Sequence, residues 1–400
     1  MKRKPPLSSP LEKGERREMR KKRFPSGFFI GAASAGIKDN DKDVGVIYCP
    51  CGFRAAALFT KNRFKAAPVV ISEKHLPLGK VLVVNSGVAN AATGEKGLRD
   101  AMEIASYAGK QFDASPEEVL MASTGVIGKI LPLQKIKAGI KNIKESFLSK
   151  PVSPDDFAQS ILTTDTKRKT VWTENFWACA KGSGMICPDM ATFLCFIVTD
   201  AAFPKGKEKS ILRECAQPFN RMTVDGEMST NDTVFLLSSG IRNVPREASA
   251  LSKELLYVCA HLAEKIIDDG EGRHKVIDIS VRGAKSFYEA KKTALHLATS
   301  PLIKTAFNGE SPNWGRILSR AGSLNVRMRS EKVRITICGV KVFAAGQGGA
   351  KNFNVRALKG RLKKKNVSLE IDLGAGVAGC VYRTTDLSCE YVKINAGYLT

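Results

Sequence analysis

Histidine is scarce in this chain: there are four in 400 residues, at positions 75, 261, 274 and 296, with no metal-ligand spacing among them. No metal site is expected, and a His-dependent catalytic relay is poorly supplied, although one imidazole would suffice. There is no run of about 18 uncharged apolar residues, so a membrane-spanning helix is not expected. No apolar stretch follows the basic N-terminus as a secretory signal requires. Walker loops and Gly-x-Ser-x-Gly elbows are also missing. The ten cysteines make no framework. Eight are scattered, mostly among apolar neighbours, while Cys49 and Cys51 enclose a single proline instead of the two-residue spacer of zinc and redox pairs. They read as small buried hydrophobes in a reducing, cytosolic (cytoplasmic) compartment.

Acidic residues are outnumbered 39 to 63, for a net charge of +24. Residues 1–23 alone hold ten Lys or Arg against Glu12, Glu15 and Glu18. That segment lacks a periodic apolar face and reads as a basic disordered extension, with Met19 as an alternative start. The remaining excess shows no arginine-rich helix or aromatic-basic alternation, so a solvated lysine-rich surface is preferred to a nucleic-acid interface. Neither nucleic acid nor membrane is expected as a partner.

From Phe24 onward, hydrophobic and charged residues make up ordinary globular proportions, and short β-like runs alternate with amphipathic helices. Val81–Val84 reads as a buried strand ending in a polar Asn85-Ser86-Gly87 loop. Leu98, Met102, Ala105 and Ala108 fall at helical spacing, as do Leu133, Ile136, Ile140, Ile143 and Phe147. Ser153-Pro154-Asp155-Asp156 is a helix start, with serine as the cap. Leu255, Leu256, Cys259, Leu262 and Ile266 make another helical stripe. Residues 193–198, 234–237, 333–338 and 367–373 are strand-like, and the residues after Gly379 look like a strand pair. The Gly374–Gly379 run matches a dinucleotide fingerprint on paper, but that fingerprint needs a helix, a second strand and an acidic residue about 20 positions on, and only 21 residues remain after Gly379, so it reads as a strand connection. The pattern gives an α/β (α+β) fold, a layered sandwich of mixed β-sheets covered by helices.

Three polar segments stand out. In 181–192, glycines permit a tightly turned backbone that runs into the apolar strand after Thr192. A threonine at such a junction can attack the preceding carbonyl and be freed by hydrolysis. Its α-amine, with a reference pKa of about 8, then supplies the base that histidine does not. The Thr124-Gly125 pair after Val119-Leu120-Met121 can offer a hydroxyl and an N–H to an oxyanion. The third segment, 220–233, is dense in Thr, Asp and Asn, which either make turns or bind something.

Together these segments resemble the glutamate N-acetyltransferase (ornithine acetyltransferase) family of arginine biosynthesis. The resemblance covers about Gly27 to Thr400. It rests on AGIK at 35–38, FTKNRFKAAPV at 59–69, NSGVANAATG at 85–94, STGVIGKILP at 123–132 and TTDT at 163–166. KGSGMICPDMATFLCFIVTDA at 181–201, NRMTVDGEMSTNDT at 220–233, DGEG at 269–272, SPNWGRILSRAG at 311–322 and the terminal INAGYLT continue it in order.

The resemblance implies a self-cleaving, N-terminal-nucleophile-like fold. Cleavage between Ala191 and Thr192 would give an α chain of 24–191 (behind the extension) and a β chain of 192–400. Thr192 would be the acetyl-accepting nucleophile, and Thr124 and Gly125 the oxyanion hole. Thr163, Lys181, Thr192, Glu271, Asn395 and Thr400 would contact substrate, Lys181 pairing with a carboxylate and Glu271 with an ammonium. Acetyl would pass from N-acetylornithine to Thr192, ornithine would leave, and glutamate would accept it. No cofactor is implied, with acetyl-CoA as a possible co-substrate, and the cleaved chains would assemble as α2β2 or larger.

Departures from the family pattern fall in the short link 167–180, at Arg273 and His274 before Lys275, at Val88 and at Gly397. The competing readings are a self-cleaving amidase or aminopeptidase that passes the acyl group to water, and an RNA-binding protein on an old enzyme fold.

Overall fold

The computed structural model describes residues 23–39, 41–187, 193–242, 248–345 and 353–397. The extension before Arg23, the Ala191–Thr192 boundary and Thr400 therefore lie outside the described residues.

The chain begins with β1 (Phe29–Ala33), the long β2 (Val44–Phe59), α1 (Ala67–His75) and β3 (Leu78–Val88). After α2 (Gly94–Phe112) come β4 (Val119–Val126), α3 (Leu133–Ser146) and α4 (Pro154–Ser160). Next are β5 (Lys169–Trp172), β6 (Trp177–Lys181), β7 (Leu194–Ala201), α5 (Glu208–Cys215), β8 (Met222–Thr223), β9 (Thr233–Arg242) and α6 (Ala248–Asp268). The second half holds β10 (Val276–Ala284), α7 (Phe287–Ala298), α8 (Pro301–Asn308) and α9 (Trp314–Gly322). It closes with β11 (Arg334–Ile337), β12 (Val340–Ala344), α10 (Val355–Leu362), β13 (Asn366–Asp372), β14 (Ala378–Thr385) and α11 (Cys389–Gly397).

The first sheet runs β4-β3-β2-β9-β7-β6-β5, with β1 added on β2. Strand β2 pairs with β3 mainly through Val44–Tyr48 and with β9 through Arg54–Phe59, and its register shifts between Tyr48 and Phe53 around Cys49-Pro50-Cys51-Gly52. The bulge lets the sheet fold over on itself. One core joins Ile47, Leu82 and Leu120 from one side with Trp177, Phe196 and Phe235 from the other.

Helices cover both outer faces. Val81, Val83 and Met121 pack on Ala101, Ile104, Ile136 and Ile140 of α2 and α3. Cys195, Ile197 and Leu236 pack on Leu255, Cys259 and Leu262 of α6. Each such large side chain taken from water contributes about 1.5–3 kcal/mol. The layers are thus helix, sheet, sheet, helix.

The second sheet runs β12-β11-β13-β10-β14-β8. Its strands alternate cleanly: Ile277, Ile279 and Val281 of β10 and Leu369 and Ile371 of β13 face a core shared with α7 to α10. On the other face Arg282 pairs with Glu370 at 3.0 Å. One side is buried and one is polar.

Several sequence expectations change in detail. The Asn85-Ser86-Gly87 loop is part of β3, its Asn85 and Ser86 buried. In α2 the inward face is Ala101, Ile104, Ala105, Ala108 and Phe112, whereas Leu98 and Met102 are exposed. Leu256 is likewise exposed while its four stripe partners are buried. Ser153 does precede α4, but its hydroxyl donates to the Asp156 carboxylate and caps no backbone N–H. Only half of the expected C-terminal strand pair exists: β14 is a strand, and α11 is a helix. The link 167–180 is short because it is a tight β5–β6 hairpin, with Trp177 and Cys179 in the core.

Candidate active site

A flat sheet would hold β4 and β6, five positions apart, at about 24 Å. Folding the sheet instead brings Lys181 Nζ to 3.0 Å from Thr124 Oγ1, and a cavity of about 250 Å³ opens where the two layers end. Thr124, Gly125, Thr163, Lys181, Glu271 and Asn395 all line it, although they are separated by up to 271 positions in the chain. Phe193 and Leu194, the first described residues after Thr192, form another part of the wall. Thr192, Ala191 and Thr400 themselves lie outside the described residues.

Backbone geometry explains the glycine beside Thr124. Gly125 has φ +127°, and a Cβ there would lie 2.2 Å from the Gly87 carbonyl carbon. Only glycine lets β3 and β4 close at this end. The Asn231 amide tightens the same corner by donating to Ser123 O (2.8 Å) and Ala89 O (2.6 Å). Because Lys181 donates to the Thr124 oxygen, the Thr124 hydroxyl keeps its own hydrogen for a further acceptor. A charged donor on that oxygen strengthens the hydroxyl as a donor in turn.

Glu271 enters from the loop after α6. Its N–H donates to Ser183 O at 2.9 Å, and its carboxylate accepts from Asn395 Nδ2 of α11 at 2.9 Å. Gly184 makes room for it, since a Cβ there would lie 2.2 Å from Glu271 Oε2. Asp225 holds the 181–187 loop, accepting from the N–H groups of Met185 (2.6 Å) and Ile186 (2.9 Å). Met185 needs that anchor, being a non-glycine residue at φ +53°.

Beneath the cavity, Lys169 bridges Asp165 at 2.6 Å and Asp269 at 2.5 Å, all three side chains at most 4% exposed. Asp165 also accepts from Gly182 N at 2.6 Å and Thr163 N at 3.2 Å, and Asp269 from Thr166 N at 3.0 Å. Burial works to raise the Asp165 pKa, but Lys169, Lys181 and the hydrogen bonds outweigh it and hold the carboxyl below its usual range. Burial pushes the Lys181 ammonium below its usual pKa, against the pull of Asp165, Asp232 and Glu271.

The sequence assigns no role to Asp165, Lys169, Asp225, Asp232 or Asp269, or to Tyr391 of the cavity wall. All but Lys169 and Tyr391 sit in polar motifs, where burial and partners are invisible. Arg273 and His274, which depart from the family pattern, are absent from the lining: Arg273 donates to Asp268 O, and the His274 N–H to Asp386. Among the described residues, no group of three or more His, Cys, Asp or Glu side chains could hold a metal ion. No helix among them is long and apolar enough to cross a membrane.

The ArgJ family profile matches residues 29–400, nearly all of the described chain. The chain belongs to the ArgJ family. The arginine biosynthesis bifunctional protein ArgJ of Dehalococcoides mccartyi strain CBDB1 is 40% identical over 396 residues, spanning 94% of this chain and 96% of that protein. The protein of the same name from Geobacillus kaustophilus strain HTA426 is 38% identical over 400 residues, spanning 94% and 95%. Among solved structures, the arginine biosynthesis bifunctional protein of Bacillus halodurans is 33% identical, covering 51% of this chain and 98% of that one with a TM-score of 0.47. The folded sheet gives the layered α/β architecture, and the family match makes the chain an ArgJ-family acyltransferase.

Proposed function

We propose that this chain transfers acetyl from N2-acetylornithine to glutamate, releasing ornithine and N-acetylglutamate, with Thr192 as nucleophile after self-cleavage at Ala191–Thr192. The observation that carries the reading is the gathering of Thr124, Gly125, Thr163, Lys181, Glu271 and Asn395 around one cavity whose wall continues into Phe193. Its volume lies below the ~300–1,000 Å³ of drug-sized pockets, which suits small substrates taken in turn.

The Thr192 hydroxyl adds to the acetyl carbonyl while its α-amine takes the hydroxyl proton. Thr124 and Gly125 receive the oxyanion. The amide C–N bond then breaks, the ammonium of Thr192 returns the proton to the departing amine, and ornithine leaves. Glutamate attacks the acetyl ester and the steps reverse. Lys181 answers a substrate carboxylate, and Glu271, steadied by Asn395, answers an ammonium. Thr163 and Thr400 complete the substrate contacts. The chains, split after Ala191, assemble as α2β2 or larger.

Intact mass of wild type and Thr192→Ala, with transfer of labelled acetyl to glutamate, tests this. Two fragments splitting after Ala191 are expected in wild type, and one inactive chain in the variant. An uncleaved wild type with full transferase activity overturns the mechanism, and release of acetate without N-acetylglutamate assigns a hydrolase instead. Acetyl-CoA in place of N-acetylornithine tests the second activity that the word bifunctional in the relatives' names raises. Native mass tests the assembly.

A further inference from the structure

Before self-cleavage, the α-amine assigned above as the base does not exist, because its nitrogen is still in the Ala191–Thr192 peptide bond. The N-to-O acyl shift must nonetheless move one proton from the attacking hydroxyl to the departing nitrogen. A side chain of the cavity can carry it. Lys181 is engaged with Thr124, Asp225 with the Met185 and Ile186 N–H groups, and Glu271 with Asn395. Glu227 is exposed.

Asp232 differs from all of these. It lines the cavity at 2% exposure, and its Oδ2 has no hydrogen-bond partner among the described residues. An unsatisfied buried polar atom costs about 1–3 kcal/mol, and this one is open to a group that enters the cavity. The rest of the residue is held firmly. Ser229 hydrogen-bonds the carboxyl through its side chain and backbone, and Thr60 N donates to Asp232 O at 2.9 Å. Burial raises the carboxyl pKa well above its usual range, against the pull of Ser229 and Lys181.

Its place in the sheet is specific. Strands β7 and β9 run parallel with Leu194 opposite Thr233, and Thr233 N donates to Phe193 O at 2.9 Å. Asp232 therefore stands beside Phe193, the residue bonded to Thr192.

We propose that Asp232 is the proton relay of self-cleavage, its carboxyl passing a proton from the Thr192 hydroxyl to the Thr192 nitrogen. In that step the bond from Thr192 oxygen to Ala191 carbonyl carbon forms and the peptide C–N bond breaks. One proton leaves oxygen, one arrives on nitrogen, and Asp232 ends as it began. Water then splits the ester, giving the Ala191 carboxylate and a Thr192 with free hydroxyl and amine. The assignment rests on the reading of Thr192 as the cleavage residue.

The test follows intact mass with time for full-length wild type, Asp232→Asn, Asp232→Glu and Asp232→Ala, with melting temperatures to establish folding. Acid–base participation is worth about 10²–10⁴-fold, so maturation of the Asn and Ala variants should slow by at least about 100-fold. Formate should accelerate the Ala variant, filling the space with a small acid, and have no effect on Thr192→Ala. Asp232→Glu should mature faster than Asp232→Asn. A folded Ala variant that cleaves at the wild-type rate, or that formate fails to accelerate, overturns the relay. If the Ala variant does not fold, equal rates for Glu and Asn do so. An uncleaved wild type that still transfers acetyl overturns the reading of Thr192 instead, so the two failures are distinct.

Discussion

Lys169 and Lys304 are buried to nearly the same depth, at 1% and 4% exposure, and are treated in opposite ways. Lys169 lies between two carboxylates, Asp165 and Asp269. Lys304 of α8 meets only neutral oxygens: the Val224 carbonyl and the hydroxyls of Thr385 (3.3 Å) and Thr384 (3.4 Å). Burial, only partly offset by Asp225 and Asp386 at longer range, pushes the Lys304 pKa down to about 8.

Their surroundings account for the difference. Asp165 also fixes the backbone of Thr163 and Gly182, and Asp269 precedes Glu271 by two residues, so the Lys169 cluster sets the floor of the cavity. Lys304 instead ties α8 and β14 to the 224–225 segment, a joint between the two halves of the molecule. Full ionic pairing is placed under the cavity, and an adjustable cation at the joint.

The largest expected effect breaks the first arrangement. Lys169→Met would leave Asp165 and Asp269 buried together without their cation, a loss of about 3–5 kcal/mol. Denaturant titration measures it, and a loss under about 1 kcal/mol would show that the cluster is not a structural unit. Next comes the joint. With a folded pKa near 8 and an ordinary lysine value of 10.5 when unfolded, the unfolded state holds more protons between those limits. The cost of burying Lys304 is therefore complete below pH 8 and fades as pH rises toward 10.5, by up to about 3 kcal/mol. Wild-type stability minus that of Lys304→Met should thus rise across this window. A flat difference from pH 8 to pH 10 would put the ammonium in a better-solvated place than its neighbours allow.

How far the sequence reached can be judged at the same places. The layered α/β class and the inward face of α3 (Ile136, Ile140 and Ile143) follow from periodicity alone. The face of α2 does not, because a stripe of alanines with Ile104 and Phe112 competes with Leu98 and Met102 on the other side. The residues after Gly379 read as a strand pair, yet the second half of them forms α11, which carries Val392 and Ile394. Both are exposed, and Ser388 starts α11 by accepting the Tyr391 N–H at 3.1 Å. Cavity residues such as Lys181 and Glu271 were named through motif resemblance, since nothing local reveals that positions 90 apart converge. Asp232 and Asp225 sat in a polar run whose turn and binding readings cannot be separated without burial and partners.

The smallest effect concerns the carboxylate next to that joint. Asp225 follows Val224, whose carbonyl Lys304 holds, and it reaches across to Met185 and Ile186 on the opposite side of the proposed cleavage boundary. Tyr391 OH adds a longer contact at 3.4 Å. Asp225→Asn keeps one acceptor oxygen and turns the other position into a donor facing a backbone N–H. One charge-assisted hydrogen bond is lost, worth about 2 kcal/mol. Because the two anchored N–H groups precede Ala191 and Asp225 follows it, this carboxylate would be one tie between fragments formed at that boundary, beside the β2–β9 and β6–β7 pairings. The variant should therefore lose more stability as cleaved protein than as an uncleaved Thr192→Ala chain, where the peptide bond keeps the loop close. Denaturant midpoints of Asp225→Asn in both backgrounds measure the difference, and equal losses would make Asp225 a local turn residue with no part in holding the fragments together.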